Sequence, residues 1–332
     1  MDPAEVGQVV GELYSLEGLE LTPIDGGADL EASSWKAVDA RGRRFAVKWS
    51  TGGSPAGAVL PAALDAALPG SAPAPVPARD GSLWTDIDGA RLSVMEWIDG
   101  TSGFDAPLGE RGWRAFGQLL AALHTLPVEG EVRSVVPREG FDPTRWAEYF
   151  EQVDAEIDAA PSGEITKRLA ELWHPHRAEL RGVHQHTHSL AERLRSRSDL
   201  PRYVPCHGDP HLGNLVLTGV GRPALLDFDD AVLAPPERDL MFVLGGGVLA
   251  DPAASGEQQR WFMEGYGPHT ADADLLTYYR GLRLLEDTSE LASILLAPSS
   301  TGKDRDEALG HLTGVFSPTG LLVQARSEAH RS

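Results

Sequence analysis

The spacing of apolar and polar positions changes character twice along the chain. From about residue 20 to 100 the period is two, as on a pleated strand. Leu19–Ile24 reads as a strand closed by a Gly26-Gly27 turn, and Ser34–Val38 as a second. Asp39-Ala40-Arg41-Gly42 forms a tight turn into a third, Arg44–Trp49. Alternation in that third strand puts Phe45, Val47 and Trp49 on one face and Ala46 and Lys48 on the other. The three prolines of Ser71–Pro77 predict a surface connection, Arg79-Asp80-Gly81 a hairpin turn, and Leu92–Ile98 the strand that follows. From about 108 to 198 the period becomes helical. Trp113, Phe116, Leu119, Leu120 and Leu123 make one stripe, and Trp146, Tyr149, Phe150 and Val153 another behind Asp142-Pro143. Leu169, Leu172 and Trp173 and then Leu180–Leu194 continue it. Beyond 205 a short strand pair returns, followed by helices carrying Trp261, Phe262, Tyr266 and the run Leu275–Leu296. This order predicts an α+β chain with a small N-terminal β lobe over residues 1–98, ending in a hinge, and a large, mainly helical C-terminal lobe over 99–332.

Charge narrows the partners. With 29 Lys and Arg against 49 Asp and Glu, the 332-residue chain carries a formal charge of −20. Such a chain repels phosphate backbones, which argues against nucleic acid as a partner, and it attracts small cations. One cysteine, Cys206, excludes an internal disulfide and a thiolate zinc cluster. The acidic start Met1–Glu5 leads into no apolar segment, and the run Leu240–Ala250 is too short to span a bilayer. The expectation is a cytoplasmic protein with no membrane partner.

Chemistry concentrates in His207-Gly208-Asp209-Pro210-His211-Leu212-Gly213-Asn214 and, downstream, Leu225-Leu226-Asp227-Phe228-Asp229-Asp230. Leu215–Leu217 and Ala224–Leu226 read as a hairpin about a Thr218–Pro223 turn. Centring that turn between Val220 and Gly221 sets Asn214 opposite Asp227. Two hard oxygen ligands side by side suit Mg2+, which fills its other positions with phosphate and water. Asp209, five residues earlier in a loop broken by glycine and proline, stands near the same point. A carboxylate beside a metal–phosphate site can accept the proton of an attacking hydroxyl, and Lys48 is the strand lysine that phosphoryl transfer calls for. Asp229 and Asp230 are the nearest acidic candidates for holding a cationic substrate.

The pattern His207-x-Asp209-x-x-x-x-Asn214 with Asp227 downstream resembles the catalytic core of the aminoglycoside phosphotransferase family, a branch of the protein-kinase-like fold. The similarity spans about residues 20 to 290. It is nearest to the spectinomycin phosphotransferases through Leu226–Asp230, Leu233–Val243, Gly245–Gly247, Glu264–Gly267 and Tyr278–Arg280. The resemblance implies a bilobal fold and an ATP- (or GTP-) and Mg2+-dependent O-phosphotransferase acting on a small cationic molecule with a hydroxyl. An aminoglycoside or aminocyclitol antibiotic such as spectinomycin is the implied acceptor, with antibiotic resistance or self-protection as the role. It further implies Asp209 as catalytic base, Asn214 and Asp227 as Mg2+ ligands, and Lys48 on the nucleotide phosphates. Gly26 and Gly27 fall in the nucleotide-covering loop, the backbone of Glu96, Trp97 and Ile98 faces the adenine, and His207 and Asp239 order the catalytic loop. Two alternatives stay open: a kinase of another small alcohol (a sugar, a choline-like amine, a natural product), and a nucleotide-binding pseudokinase. The second is motivated by a departure from the pattern. Kinase-like proteins pair the strand lysine with a helix glutamate, and this chain has no glutamate between Glu31 and Glu96. The helix expected over Gly57–Leu68 is interrupted by Pro61 and offers only Asp65, so Lys48 is expected to be held mainly by nucleotide phosphates.

Overall fold

The period-two segments form one antiparallel sheet. In this computed structural model, which describes residues 3–24, 32–159, 163–219, 222–247 and 253–326, Glu20–Pro23 (β1), Ala32–Val38 (β2), Arg44–Ser50 (β3), Thr85–Ile87 (β4) and Ala90–Glu96 (β5) pair in the order β1-β2-β3-β5-β4. Phe45 and Val47 are buried on one face as the alternation requires, while Lys48 sits between Ser34 of β2 and Ser93 of β5 on the other. The buried face packs on a further helix, Pro3–Tyr14 (α1), which precedes the period-two segments. Its Val6, Val10 and Tyr14 join Trp35, Ala37, Leu92 and Val94 in one core, and the Tyr14 hydroxyl donates to the Leu92 carbonyl at 3.0 Å. Proline at the first helical position and apolar residues four apart are the signals that mark it.

Three expectations here are corrected. The turn into β5 is Asp88-Gly89, both at positive φ (49° and 83°), which suits the tight turn of a twisted hairpin. Arg79–Gly81 only closes a smaller loop in which Ala78 N–H bonds to the Ser82 carbonyl at 2.8 Å. Nor is Ser71–Pro77 a loose connection. Ser71 and Ala72 are buried, Glu96 N–H donates to Ala74, and Val76 N–H donates to Val94, both at 2.8 Å. Pro73, Pro75 and Pro77 alternate with the two residues that bond, so the segment lines β5 without needing a proline donor. The helix Ala56–Ala67 (α2) is also continuous through Pro61. Pro61, in the middle of the helix, removes one intrahelical bond, and burial of Ala58, Val59, Leu60, Pro61 and Leu64 outweighs that loss.

By its contacts the chain divides into two compact units, residues 1–138 with 203–234 and 260–268, and residues 139–202 with 235–259 and 269–332. The first unit adds Thr101–Ser102 (β6), Glu110–His124 (α3), Gly130–Val135 (α4), Val204–Cys206 (β7), Leu215–Leu217 (β8), Pro223–Leu225 (β9) and Val232–Ala234 (β10). The strands form a β6-β8-β9 sheet and a β10-β7 pair. The whole expected stripe of α3, Trp113 to Leu123, is buried. The second unit is helical: Thr144–Ala159 (α5), Glu164–Trp173 (α6), Arg177–Ser196 (α7) and Glu237–Leu240 (α8), then, after Gly256–Tyr266 (α9), Ala273–Leu296 (α10), Gly302–Val315 (α11) and Leu321–Arg326 (α12). Asp154 of α5, 4% exposed, ties three of these helices together. It accepts from Trp173 Nε1 at 2.7 Å, from Arg177 Nε at 2.7 Å and from Arg181 Nη2 at 2.7 Å. Among the described residues no helix is long and apolar enough to cross a membrane.

Candidate active site

The β8–β9 hairpin sets the frame, one residue away from expectation. Leu215 pairs with Leu225 and Leu217 with Pro223, so five residues, 218–222, close the turn instead of six. Asn214 therefore lies opposite Leu226, whose N–H donates to the Asn214 carbonyl at 2.8 Å, and Asp227 stands one residue beyond that pair. Asp227 leaves the strand at φ 58°, a left-handed conformation that aspartate tolerates better than most residues. Asn214 and Asp227 thus share the open end of the hairpin, staggered by a residue.

The loop that carries Asp209 is fastened to this hairpin twice. His207 is fully buried. Its Nε2 donates to the Leu226 carbonyl at 2.8 Å, its Nδ1 accepts the Asp209 N–H at 3.2 Å, and its ring centroid lies 4.4 Å from that of Phe228. Gly208, at φ 89°, crosses the Asp230 backbone so closely that an added Cβ would lie 2.1 Å from the Asp230 carbonyl oxygen. Only glycine satisfies both demands. Asn214 Nδ2 donates to the Asp209 carbonyl at 2.9 Å, and among the described residues nothing donates to Asn214 Oδ1. The donor set fits Mg2+: a neutral amide oxygen and a carboxylate at one strand end, both hard ligands. His211 Nδ1 accepts from Gly213 N–H at 2.9 Å, leaving Nε2 3.6 Å from Asp209 Oδ2. Phe104, 53% exposed, stacks on His211 at 5.5 Å. The absent side chain of Gly213 admits that stack, since a Cβ there would come within 2.5 Å of the Phe104 ring.

Lys48 reaches the same hairpin. Its Nζ forms ion pairs with Asp229 and, at 3.4 Å, with Asp227 Oδ1. Burial pulls the Lys48 pKa down, but the two carboxylates outweigh it and hold it above the ordinary lysine value. Burial and the like charge of Asp227 together hold the Asp229 carboxyl above its ordinary range, although Lys48 acts the other way. Asp65, the only carboxylate α2 offers, instead accepts the Gly70 N–H at 2.7 Å beyond its own helix. Asp229, read from the sequence as a substrate residue, thus faces Lys48, while Asp230 is exposed.

At the end of β5, Glu96 is bonded to Ala74, and Trp97 N–H donates to the Arg44 carbonyl at 3.1 Å. The Lys36 ammonium lies 4.8 Å from the Trp97 ring centroid, and Arg44 and Asp99 form a bidentate ion pair just beyond Ile98. Gly26 and Gly27 lie outside the described residues. Asp239 is fully buried in α8, in the second unit. Lys48, Glu96–Ile98, His207, Asp209, Asn214, Asp227, Asp229 and Asp230 all fall in the first. Sequence reasoning missed Gly57, Gly208 and Phe104. The glycine next to Asp209 was the available signal for Gly208, and an apolar ring in a polar turn for Phe104, while nothing in the local sequence marks Gly57.

The Phosphotransferase enzyme family profile matches residues 20–283 of this chain. No curated protein sequence matches it significantly. Among solved structures, that of spectinomycin phosphotransferase APH(9)-Ia in complex with ADP and spectinomycin is similar over 98% of this chain and 98% of its own, with 23% identity and a TM-score of 0.81. An amicoumacin kinase in complex with AMP-PNP, Ca2+ and Ami is similar over 99% of this chain and 94% of its own, with 15% identity and a TM-score of 0.60. A microcompartment-associated aminopropanol kinase is similar over 98% of both chains, with 18% identity and a TM-score of 0.59. The fold is the kinase-like α+β one that the catalytic-loop resemblance implies.

Proposed function

The chain belongs to the aminoglycoside phosphotransferase family, as a small-molecule phosphotransferase, and from that premise we propose that it moves the γ-phosphoryl group of ATP or GTP to a hydroxyl of a small cationic acceptor. An aminocyclitol or aminoglycoside is the acceptor class, with spectinomycin first, and the cytoplasm, where the nucleotide is, the place of action. The observation that carries the reading is the meeting of Lys48, Asp209, Asn214 and Asp227 in one unit, with Asp209 on a loop strapped down by His207 and Gly208.

In this reading Asp209 accepts the proton of the acceptor hydroxyl as its oxygen bonds to the γ-phosphorus. The bond from that phosphorus to the β–γ bridging oxygen breaks, and its electrons leave with the nucleoside diphosphate. Lys48 neutralises phosphate charge. Asn214 Oδ1 and the Asp227 carboxylate would hold Mg2+, which when bound offsets charge building on the phosphate oxygens. The backbone of Glu96–Ile98 receives the adenine, and His207 keeps the catalytic loop in shape. The net charge of −20 supports a cationic acceptor, as do exposed Asp230 and the exposed face of Phe104, which suits an ammonium group.

A second reading, an amino-alcohol kinase, draws support from the likeness to the aminopropanol kinase and to a Plasmodium vivax ethanolamine kinase. One screen separates the two: ADP release over cationic antibiotics and amino alcohols, with Asp209→Ala as blank. Spectinomycin turnover well above the blank is the expected result. Turnover of amino alcohols alone moves the assignment to the second reading. Tight nucleotide binding with no acceptor above the blank makes the chain a pseudokinase.

A further inference from the structure

We propose that Asp229 is the positioning residue for Lys48, doing from the hairpin what a helix glutamate does in other kinase-like proteins, and that position 57 is glycine to admit it. The inference rests on the reading of Lys48 as the phosphate lysine, and it assigns Asp229 to the nucleotide side of the site.

The helix α2 offers Lys48 no carboxylate of its own. Its single carboxylate, Asp65, accepts the Gly70 N–H at 2.7 Å. At the other end of α2 the first turn has no side chain at residue 57, and an added Cβ there would stand 3.0 Å from Asp229 Oδ1 and 3.6 Å from the Phe228 carbonyl oxygen. The usual arrangement is thus inverted, because the carboxylate comes to the helix and not from it. A helix N-terminus also favours a negative charge beside it. Asp229 Oδ1 faces the space that a side chain at position 57 would take, and Oδ2 pairs with the Lys48 ammonium. Its backbone is held by the preceding residue, Phe228, which is 2% exposed and packed on the His207 ring at 4.4 Å. The other carboxylate on Lys48 is Asp227, at 3.4 Å, whose side chain is 54% exposed. If Asp227 turns to a cation, Asp229 remains the counter-charge that keeps Lys48 aimed.

The test compares Asp229→Asn, Asp229→Glu, Gly57→Ala and Lys48→Met with the wild type. It reads Mg·ATP affinity by calorimetry, KM for ATP, and KM for spectinomycin. Asp229→Asn should weaken Mg·ATP binding and raise KM for ATP about tenfold, the equivalent of about 1.4 kcal/mol. KM for spectinomycin should stay within about twofold. Gly57→Ala should act in the same direction but less, and Asp229→Glu should recover part of the loss. In a Lys48→Met background, Asp229→Asn should cost nothing further, because the two act as one unit. A rise confined to the spectinomycin KM would return Asp229 to the acceptor, and independent multiplying losses with Lys48→Met would break the pair; either result overturns the proposal. Thermal unfolding without nucleotide reads the pair separately. Asp229→Asn should lower Tm when Lys48 is present and not when it is Met. A wild type that binds no nucleotide would remove the phosphotransferase reading, while this cycle still decides whether the pair exists.

Discussion

As the proposed Mg2+ ligands, Asp227 and Asn214 would be unequal, and the inequality is measurable. A carboxylate brings charge and two oxygens to a hard cation, whereas an amide brings one dipole, and Asn214 already gives its Nδ2 to the Asp209 carbonyl at 2.9 Å. Asp227→Ala should therefore abolish the Mg2+ enhancement of nucleotide binding. Asn214→Ala should reduce that enhancement and also loosen the Asp209 loop, so its turnover should fall by more than its loss of nucleotide affinity explains. Titrating nucleotide with and without Mg2+ for each variant checks both statements, and full Mg2+ enhancement in Asp227→Ala would sink the metal assignment. At this scale the juxtaposition of residues was legible wherever they lay close in sequence. His207, Asp209, Asn214 and Asp227 sit within one short stretch, where spacing alone constrains geometry. The partner of Lys48 was not legible. Asp229 comes from 181 positions away, and the clue to it is the absent side chain of Gly57 in a helix read as broken.

Register is the property of an element that sequence reports least well. A hairpin turn of five residues or six fits the same glycines, yet the choice moves Asn214 from Asp227 to Leu226. The proline segment 71–77 failed for a related reason: prolines forbid a central strand, but not one in which every second residue does the bonding. Helices of the second unit were easier, because their stripes are long. What the stripes hide is the polar joint at Asp154. Burial alone would raise its carboxyl pKa, but hydrogen bonds from Trp173 and Arg181 and the charges of Arg177 and Arg181 hold it below the ordinary carboxylate range. A carboxyl lowered in this way stabilises the fold fully above its unfolded value of about 3.9, and the contribution is lost as pH falls through the folded value. Asp154→Asn should cost about 2–3 kcal/mol at pH 7, short of a fully buried pair because Arg181 reaches solvent. In urea unfolding the gap to wild type should narrow below about pH 4. A gap that stays constant down to pH 3 would mean that Asp154 acts by packing and not by charge.

The charge of the whole chain bears on the acceptor more than on the fold. A formal −20 spread over 332 residues leaves a negative field that no single pair explains, and such a field concentrates cations while it repels the nucleotide. The site answers the second problem locally, by gathering Lys48 and the hard-oxygen pair at the hairpin end. It leaves the first effect available to the acceptor. Screening tests this directly, since the Debye length falls from about 10 Å at 0.1 M salt to about 3 Å at 1 M. With nucleotide saturating, KM for a cationic acceptor such as spectinomycin should rise steadily with ionic strength while kcat changes little, because the field acts on encounter and binding and not on the phosphoryl transfer itself. A neutral sugar or alcohol should show a flat profile over the same range. If spectinomycin were also flat, the acidic balance would have no part in choosing the acceptor, and selection would fall to short-range groups around Asp209, the Phe104–His211 stack first among them.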